Sequence, residues 1–169
     1  MALIFLLKEI LTKRSVKLFA LIVNHKARTG SKNETEKTAK TLEKHDISCQ
    51  ILESYLENSP NSNIESGLRE VRYNLLSNFC QNNNIKYLFI AHHAQDQAEN
   101  FLIRLFRGSG IDGLAATDYI SKFKNITIIR PLLDFKKEEL TDYLTQNNIS
   151  WIEDKSNKDK KFLRNKIRN

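Results

Sequence analysis

The sequence predicts an α/β fold in which a parallel β-sheet carries helices on both of its faces. Short, continuous apolar runs, of which KYLFIA at 86–91 is the strongest, alternate with longer segments of helical period. Strands that are buried on both faces have such continuous apolar runs. Helical segments separate the runs and no tight hairpin signal joins two of them, which favours crossover connections and a parallel sheet.

The first half of the chain predicts two helices and two strands in alternation. The opening helix follows from apolar residues that recur on one helical face, namely Leu3, Leu6, Leu7, Ile10 and Leu11. LFALIV at 18–23 predicts a short buried strand. A polar loop, NHKARTGSKNE, then leads into a helix that ends near His45, and residues 47–52 predict a weaker strand.

The middle of the chain predicts a loop, a helix, a strand and a second helix. The loop covers 58–63 and the helix covers about 64–81, with a buried side made of Leu68, Val71, Leu75, Leu76 and Phe79. The strand covers 86–91. The helix after it ends at GSGIDG, and its apolar stripe is expected to face the core. That stripe consists of Ala98, Phe101, Leu102, Leu105 and Phe106.

The last part of the chain predicts one more strand and two helices. Residues 126–131 form the strand, which Pro131 closes. A helix follows over about 136–147, and a basic helix begins at about 158.

Composition places the chain among globular proteins of a reducing cytoplasm. Its 169 residues suffice for one domain with a sizeable core, and 40% of them are hydrophobic and 28% charged. The apolar opening, MALIFLLKEI, is short and Lys8 interrupts it, which argues against a signal peptide, and no run approaches a membrane span. Cys49 and Cys80 form no C-x-x-C pair, so a disulfide, zinc or iron–sulfur framework is not expected.

The positive charge of the chain is concentrated at its end. The net charge is +7, and residues 155–169 hold seven basic residues against one acid, which is +6 of that total. A basic block of this kind favours nucleic acid or polyphosphate as a partner. The same block is also compatible with a solvated helical face, so the charge alone leaves both interpretations open.

Three strand ends are the places where a ligand is expected, because parallel sheets bind ligands at the carboxyl ends of their strands. These places are Asn24–His25, His92–His93 and Arg130. Beyond the second of them, Asp96 and Glu99 lie three residues apart on one helix, so their carboxylates are neighbours. Two interpretations stay open at this point, a ligand site and acids that complement the helix dipole. The two histidines either cap the helix or belong to a metal site for which no further ligands have convincing spacing.

The segment AHHAQDQAENFLIRLFRGSGIDGL (91–114) resembles the signature of the tRNA(Ile)-lysidine synthetases, which read HH-x-x-DQAET and then R-L-x-RGSG-x-x-GL. Four more blocks match the family in the same order along the chain. They are VNHKAR (23–28), IESGLREVRY (64–73), RPLLDFKKEEL (130–140) and WIEDKSNKDKKFLRNKIR (151–168).

This resemblance implies a fold and a reaction. The fold is a Rossmann-like PP-loop domain of the adenine nucleotide alpha-hydrolase type. The enzyme attaches L-lysine to C2 of the wobble cytidine of the isoleucine tRNA with a CAU anticodon, using ATP and Mg²⁺. ATP first adenylates the C2 oxygen and releases pyrophosphate, and the lysine ε-amine then displaces AMP. The partners are therefore isoleucine tRNA, lysine and ATP, and the oligomeric state stays open.

The resemblance also implies roles for individual residues. Asp96 and Glu99 bind lysine, and the catalytic residues are Arg72, Glu153, Arg164 and Asp134. The residues expected near the nucleotide are His25, His92 and His93. Those expected to contact tRNA are Arg69, Arg104, Arg107, Lys158, Lys160, Lys161 and Arg168. No metal-binding residue is assigned.

The chain departs from the family pattern in several places. The ATP loop SGG-x-DS, which precedes the first helix in the family, does not occur in the sequence, and neither does the strand before it. The expected organisation is an incomplete, doubly truncated catalytic domain at 1–150, followed by a basic helical segment at 151–169 that leads to an absent region. Gln95 stands where Asp is common and Asn100 where Thr is common. Without the ATP loop, we expect no ATP–pyrophosphate chemistry from the 169-residue chain.

Three other functions compete with the ligase. The first is a fragment without catalysis that retains RNA binding. The second is another PP-loop tRNA-modifying enzyme, of which the cytidine thiolases use C-x-x-C cysteines that this sequence lacks. The third is a metal-dependent phosphoesterase that uses His92, His93 and Asp96.

Overall fold

A computed structural model describes residues 1–24, 30–54, 64–110, 113, 115–152 and 167, with residues 64–66 described through their backbone alone. Within these ranges, helices and strands alternate through most of the chain, as the sequence predicts. In chain order they are α1 (Ala2–Leu11), β1 (Ala20–Asn24), α2 (Ser31–Lys44), β2 (Cys49–Glu53), α3 (Ile64–Asn82), β3 (Tyr87–Phe89), α4 (Ala94–Phe106), β4 (Ile120–Phe123), β5 (Ile126–Ile129) and α5 (Lys137–Gln146).

The chain divides into two compact units. The amino-terminal unit comprises Ile4–Tyr87 and Phe123–Ile126, and the carboxy-terminal unit comprises Met1–Leu3, Leu88–Lys122 and Thr127–Asn169.

A parallel strand pair forms the sheet of the amino-terminal unit. β1 and β2 run in register from Ala20 opposite Cys49 to Asn24 opposite Glu53. The crossover between them contains α2, which packs against both strands. Parallel neighbours require such a crossover, and its helix covers one face of the pair with Ala39 and Leu42. The predicted parallel α/β arrangement is confirmed here.

Helix α3 supplies most of the remaining core of this unit. Its buried side consists of Tyr73, Leu76, Ser77 and Cys80. The Phe19 ring stacks on that of Phe79 with 5.7 Å between centroids, and the Tyr73 ring lies 5.5 Å from that of Phe123. Three apolar residues predicted on the buried side, Leu68, Val71 and Leu75, are half-buried.

A second sheet has the strand order β3–β5–β4. β5 is the central strand of this sheet, and its side chains Ile126 and Ile128 are buried, each with 2% of its surface exposed. β3 is shorter than the predicted strand at 86–91, and its Tyr87 and Phe89 are exposed. In the carboxy-terminal unit the buried apolar residues include Ile128, Leu132, Leu133, Leu144 and Ile149.

Strand β4 corrects the sequence prediction, which contained neither this strand nor a tight hairpin. β4 and β5 are joined by a two-residue turn at Lys124 and Asn125, so they form an antiparallel hairpin. Lys124 has φ 51°, the left-handed conformation that such turns require. The usual Asn-Gly or Asp-Gly signal is absent from KN, which is why the sequence concealed the hairpin.

The orientation of α4 is a second correction. Its apolar stripe was expected to face the core, but Phe101, Leu105 and Phe106 are 44%, 48% and 69% exposed, and Ala98 is exposed as well. Leu102 alone of the five is half-buried. The residue of α4 that is fully buried is Glu99. Helical periodicity identifies an apolar stripe but does not determine which side of the helix the rest of the protein covers.

Among the described residues, no helix combines the length and the apolar character needed to span a membrane. The predicted loop at 58–63 and the basic helix from about 158 lie outside the described residues, apart from Ile167.

Candidate functional site

The start of α4 brings the best candidate side chains together. His93 precedes the helix in an extended conformation and is its N-cap residue. The carboxylate of Asp96 accepts a hydrogen bond from the His93 backbone N–H at 3.0 Å, which satisfies one of the free amides of the first turn. Asp96 Oδ2 also lies 3.5 Å from His93 Nε2, and both side chains are largely covered. One role of Asp96 is therefore to cap the helix.

Glu99 lies one turn further along α4 and has only 4% of its surface exposed. A buried carboxylate requires a compensating contact, and Glu99 has an interaction within the protein. Because Glu99 follows Asp96 by three residues, the two carboxylates occupy neighbouring positions on the helix. Two covered carboxylates at adjacent helical positions are suited to bind a ligand that carries ammonium groups.

Hydrogen bonds attach the first turn of α4 to the segment that begins α5. The Ala94 N–H donates to the Phe135 carbonyl at 2.9 Å. Gln95 accepts a hydrogen bond from the Lys137 N–H at 2.9 Å and donates another to the Glu138 carboxylate, also at 2.9 Å. The amide of Gln95 therefore uses both of its ends to join the first turns of the two helices.

A further hydrogen bond fixes the same turn to the segment before β4. The side-chain oxygen of Gln97 accepts from the Thr117 N–H at 2.8 Å. Residues 94, 95 and 97 are thus all bonded to other parts of the carboxy-terminal unit, and Asp96 between them is held by its own cap. These contacts fix the turn of the helix that carries Asp96 and precedes Glu99.

Two ionisable groups near this turn have shifted pKa values. The hydrogen bond that Tyr119 donates to Asp134, together with slight desolvation and the negative charge of Asp134, raises the pKa of Tyr119. The pKa of Glu138 is lowered, first by a backbone hydrogen bond to its own amide and then by Gln95 and the two lysines that precede it. Asp134, a predicted catalytic residue, is exposed and serves as the acceptor for Tyr119.

Arg130 lies at the end of β5 and is 5% exposed. Its Nη1 donates to the Asp118 carbonyl at 2.9 Å and to the Ser121 hydroxyl at 2.9 Å, and its backbone N–H donates to Tyr119. Its Nε has no hydrogen-bond partner among the described residues. The guanidinium therefore holds the first strand of the hairpin and the segment before it.

The carboxyl-terminal half of α4 carries two arginines and lies beside a cavity. Nη1 of Arg104 donates to the carbonyls of Gly113 and Ala115 at 3.1 and 2.7 Å, and Arg107 follows the helix with an exposed side chain. A cavity of about 240 Å³ lies between α4 and residues 115–117, and the helix lines it with Gln97, Ala98, Asn100 and Phe101.

The predicted arginines of α3 belong to the amino-terminal unit, where they flank one tyrosine. Arg69 donates a hydrogen bond to the Tyr73 hydroxyl at 3.4 Å, and its guanidinium lies 5.2 Å from the ring centroid. The guanidinium of Arg72 lies 5.9 Å from the same centroid. Tyr73 is buried, so this ring orients both cations at the surface of α3.

Several predicted site residues lie outside the described part of the chain. They are His25, Glu153, Lys158, Lys160, Lys161, Arg164 and Arg168. His92 is described and half-buried, and it precedes the cap residue His93. Within the described residues, no group of three or more His, Cys, Asp or Glu side chains has an arrangement that could hold a metal ion.

Sequence reasoning missed two residues that shape this site. Gln95 was noticed only as a departure from the family pattern, and Gln97 was not singled out. Their hydrogen bonds join residues between 20 and 43 positions apart, which no local pattern reveals. Arg130 was marked as a strand-end position, but its burial required the structure.

This chain is similar to a known protein family and to individual enzymes. Residues 1–169 match the family model described as a PP-loop domain. A tRNA(Ile)-lysidine synthase of Wolbachia pipientis wMel is 44% identical over 154 residues, which is 89% of this chain and 35% of that protein. The tRNA(Ile)-lysidine synthase of Rickettsia bellii strain OSU 85-389 is 39% identical over 168 residues, or 99% of this chain and 38% of that protein. The chain thus spans little more than a third of the length of these relatives.

A solved structure has the same fold. The U34-tRNA thiolase NcsA from Methanococcus maripaludis, with its [4Fe-4S] cluster, superposes with a TM-score of 0.74 at 18% sequence identity. The match covers 90% of this chain and 54% of the thiolase.

Proposed function

Because the chain belongs to the PP-loop domain family, an ATP-using family, we propose that it carries the lysine-binding part of a tRNA(Ile)-lysidine synthetase. The reaction is the ATP-dependent ligation of lysine to C2 of the wobble cytidine in the isoleucine tRNA with a CAU anticodon. The observation that carries this proposal is the 39–44% identity to tRNA(Ile)-lysidine synthases over 89–99% of the chain. Such tRNA and ATP substrates favour the cytoplasm as the site of action.

The proposed chemistry has two steps. The C2 oxygen of the cytidine attacks the α-phosphorus of ATP, and pyrophosphate leaves. The ε-amine of lysine then attacks C2, the bond from C2 to its oxygen breaks, and AMP leaves with that oxygen. A proton must leave the ammonium before the amine attacks, and developing charge must be stabilised in both steps.

Asp96 and Glu99 are the groups we assign to lysine. Their carboxylates are covered and adjacent, and hydrogen bonds to two other segments, together with the cap of the helix, hold the first turn of α4 in place. In a covered site the attraction between carboxylate and ammonium is weakened less by water than it is at an open surface. The fixed turn then presents the lysine in one orientation.

The remaining residues receive roles that follow from their charge. Arg69 and Arg72 offer oriented cations for the phosphates of ATP or tRNA, with Arg72 catalytic. We assign His92 and His93, which precede the acids in sequence, to the border of the nucleotide, and Asp134 of the same unit to catalysis. We assign Glu153 and Arg164 to catalysis, His25 to the nucleotide and the basic residues of 151–169 to tRNA phosphates on their sequence match alone.

Among the described residues no group of three or more His, Cys, Asp or Glu side chains could hold a metal ion, and we assign no step to Mg²⁺. The sequence also contains no SGG-x-DS motif to surround the ATP phosphates. A second candidate function is an RNA-binding protein without ligase activity, which the exposed side chains of Arg104 and Arg107 favour. A thiolase is less well supported, because the resemblance to NcsA is one of fold and Cys49 and Cys80 form no C-x-x-C pair.

A transplant tests the ligase function directly. The matching region of the Wolbachia pipientis synthase, 154 residues at 44% identity, is replaced by this chain. We expect the chimera to transfer radiolabelled lysine to a CAU isoleucine tRNA and not to the same tRNA with a GAU anticodon. Glu99→Gln should reduce lysine transfer at least tenfold at subsaturating lysine, since a hydrogen bond to a charged group contributes about 1.5–3 kcal/mol.

A folded chimera that binds tRNA and transfers no lysine would contradict the proposal and favour the RNA-binding alternative. Circular dichroism and thermal melting of the chimera separate this outcome from misfolding. Asp142→Asn serves as the matched control, because Asp142 is an exposed acid on α5 of the same unit and has no assigned role. Its effect on the apparent KM for lysine should be smaller than that of Glu99→Gln.

A further inference from the structure

We propose that the carboxyl-terminal half of α4 and the cavity beside it bind an unpaired nucleobase of RNA. The inference rests on the proposed function, because it specifies how part of the tRNA substrate is held. It concerns Phe101 and the cavity, to which neither the sequence motifs nor the comparisons give a role.

The first observation is the exposure of large apolar side chains on one stripe of α4. Phe101, Leu105 and Phe106 are 44%, 48% and 69% exposed. Single exposed apolar residues are common, but a contiguous group on one helix is typical of a binding surface. All three belong to the stripe whose periodicity predicts burial. Helix α4 therefore has an apolar face that the rest of the carboxy-terminal unit does not cover.

The cavity supplies the second observation. Its volume is about 240 Å³, below the roughly 300–1,000 Å³ of pockets that hold drug-sized ligands. A flat ring fits such a space better than a whole nucleotide does. Phe101 lines it beside Ala98, and residues 115–117 close the opposite side. Small side chains on both walls leave room for a ring next to the aromatic side chain.

Polar groups in the same cavity can orient a base. Gln97 and Thr117 both line it, and the hydrogen bond from the Thr117 N–H to the Gln97 side chain fixes one wall against the other. Arg104 secures the same segment through the carbonyls of Gly113 and Ala115. The cavity is thus held from two positions on α4. A fixed slot with an aromatic wall is the arrangement by which proteins hold unstacked bases.

The positive charge at the carboxyl end of α4 favours RNA over an apolar protein surface as the ligand. Arg104 and Arg107 are exposed and follow Phe101 within two turns of the helix. A protein partner that covered the apolar stripe would also have to cover these guanidinium groups, at a cost in desolvation. An RNA strand places phosphates beside them and a base on the ring, which uses both kinds of side chain.

Fluorescence anisotropy with the 169-residue chain tests the inference. The probe is a labelled anticodon stem–loop RNA with a seven-nucleotide CAU loop, and the competitor is a fully paired duplex of the same length. We expect the loop to bind more tightly than the duplex. Phe101→Ala should weaken loop binding by roughly 5- to 100-fold, the fold-change that corresponds to the loss of one stacked base. Phe101→Trp should retain it.

The matched control is Phe135→Ala. Phe135 is 46% exposed, close to the 44% of Phe101, and lies in the same unit without lining the cavity. Its substitution should leave loop affinity within twofold. Arg107→Ala should weaken loop and duplex alike and reduce the salt dependence of log K by about 0.7–0.9. Circular dichroism of each variant confirms that its helix content is unchanged.

Equal effects of Phe101→Ala and Phe135→Ala would overturn the inference. So would a wild-type chain that prefers the duplex, or self-association that Phe101→Ala abolishes while loop affinity is unchanged, because the stripe would then be a protein interface. The result is separate from the ligase test. A chimera without lysine transfer removes the proposed reaction but does not alter loop binding, and a failed loop experiment does not alter lysine transfer.

Discussion

The two ends of α4 use the same helix in opposite ways. At the amino end, hydrogen bonds engage the backbone of Ala94 and the side chains of Gln95, Asp96 and Gln97, and Glu99 is buried. At the carboxyl end, Phe101, Leu105 and Phe106 are exposed, and so are Arg104 and Arg107. One end is fixed and polar, whereas the other is open, apolar and cationic.

The helix dipole accounts for part of this difference. Carboxylates are stabilised near the partial positive charge of the amino end, and guanidinium groups near the partial negative charge of the carboxyl end. Asp96 and Arg104 follow that rule. What the dipole does not explain is the burial of Glu99 or the exposure of Phe101. Under our proposals the two ends take ligands of opposite charge, an ammonium at one end and an RNA strand at the other.

Substitution of Arg104 gives the larger of the two stability effects that we expect at α4. Arg104→Ala removes two hydrogen bonds from a charged group to backbone carbonyls, and we expect a loss of about 1–2 kcal/mol, discounted for the exposure of the side chain. Urea unfolding measures it, and hydrogen exchange at the Thr117 amide should accelerate as the segment loosens.

Arg104→Lys separates the effect of the hydrogen bonds to the carbonyls from the effect of the positive charge. An ammonium cannot reproduce the planar donor fork of a guanidinium, so we expect Lys to restore the salt dependence of RNA binding but not the stability. Full recovery of stability by Lys would show that the two carbonyl contacts contribute little. The open end of α4 would then be less dependent on Arg104 than we infer.

Substitution of Gln95 tests the fixed end and is expected to have a smaller effect. Gln95→Ala removes the hydrogen bond from the Lys137 N–H, worth about 0.5–1.5 kcal/mol, and the contact with Glu138. The pKa of Glu138 is lowered in the folded protein, so its contribution is present above the unfolded pKa and disappears as pH falls through the folded pKa.

The effect of Gln95→Ala on stability should also depend on pH. Gln95→Ala takes away one cause of the lowered pKa of Glu138, so the variant should lose less stability on acidification than the wild-type chain does. Denaturant midpoints from neutral pH down through the carboxylate range measure the difference. An identical or steeper loss in the variant would contradict the assigned contact. Gln95→Glu should destabilise most at neutral pH, where it faces the carboxylate of Glu138.

The sequence was sufficient for most elements and for the family. The spacing of Leu3, Leu7 and Ile10 predicted a helix that the structure places at Ala2–Leu11, and the apolar run at 18–23 overlaps β1. The PP-loop family follows from motifs whose order along the chain is specific, and the family match over 1–169 confirms it. Periodicity and motifs are local, and local order of this kind survives in the folded chain.

What could not be predicted depends on contacts between distant segments. β4 alternates exposed and half-buried residues and carries Ser121 and Lys122, so no apolar run marks it. The exposed side of α4 depends on what covers the helix, and its fixed end depends on Gln95 reaching Glu138. The roles of Asp96 and Glu99 remain predictions from the motif, now with a geometry that supports them.

The most direct test of the account is calorimetric titration of L-lysine into the 169-residue chain, its Glu99→Gln variant and its Phe101→Ala variant. If the amino end of α4 receives the ammonium groups, Glu99→Gln should weaken lysine binding about 10-fold or more. Phe101→Ala should leave lysine binding unchanged, and norleucine, which lacks the ε-amine, should bind more weakly than lysine. Unchanged lysine affinity in Glu99→Gln, alongside a measurable wild-type Kd, would contradict the assignment of this end of α4 to lysine.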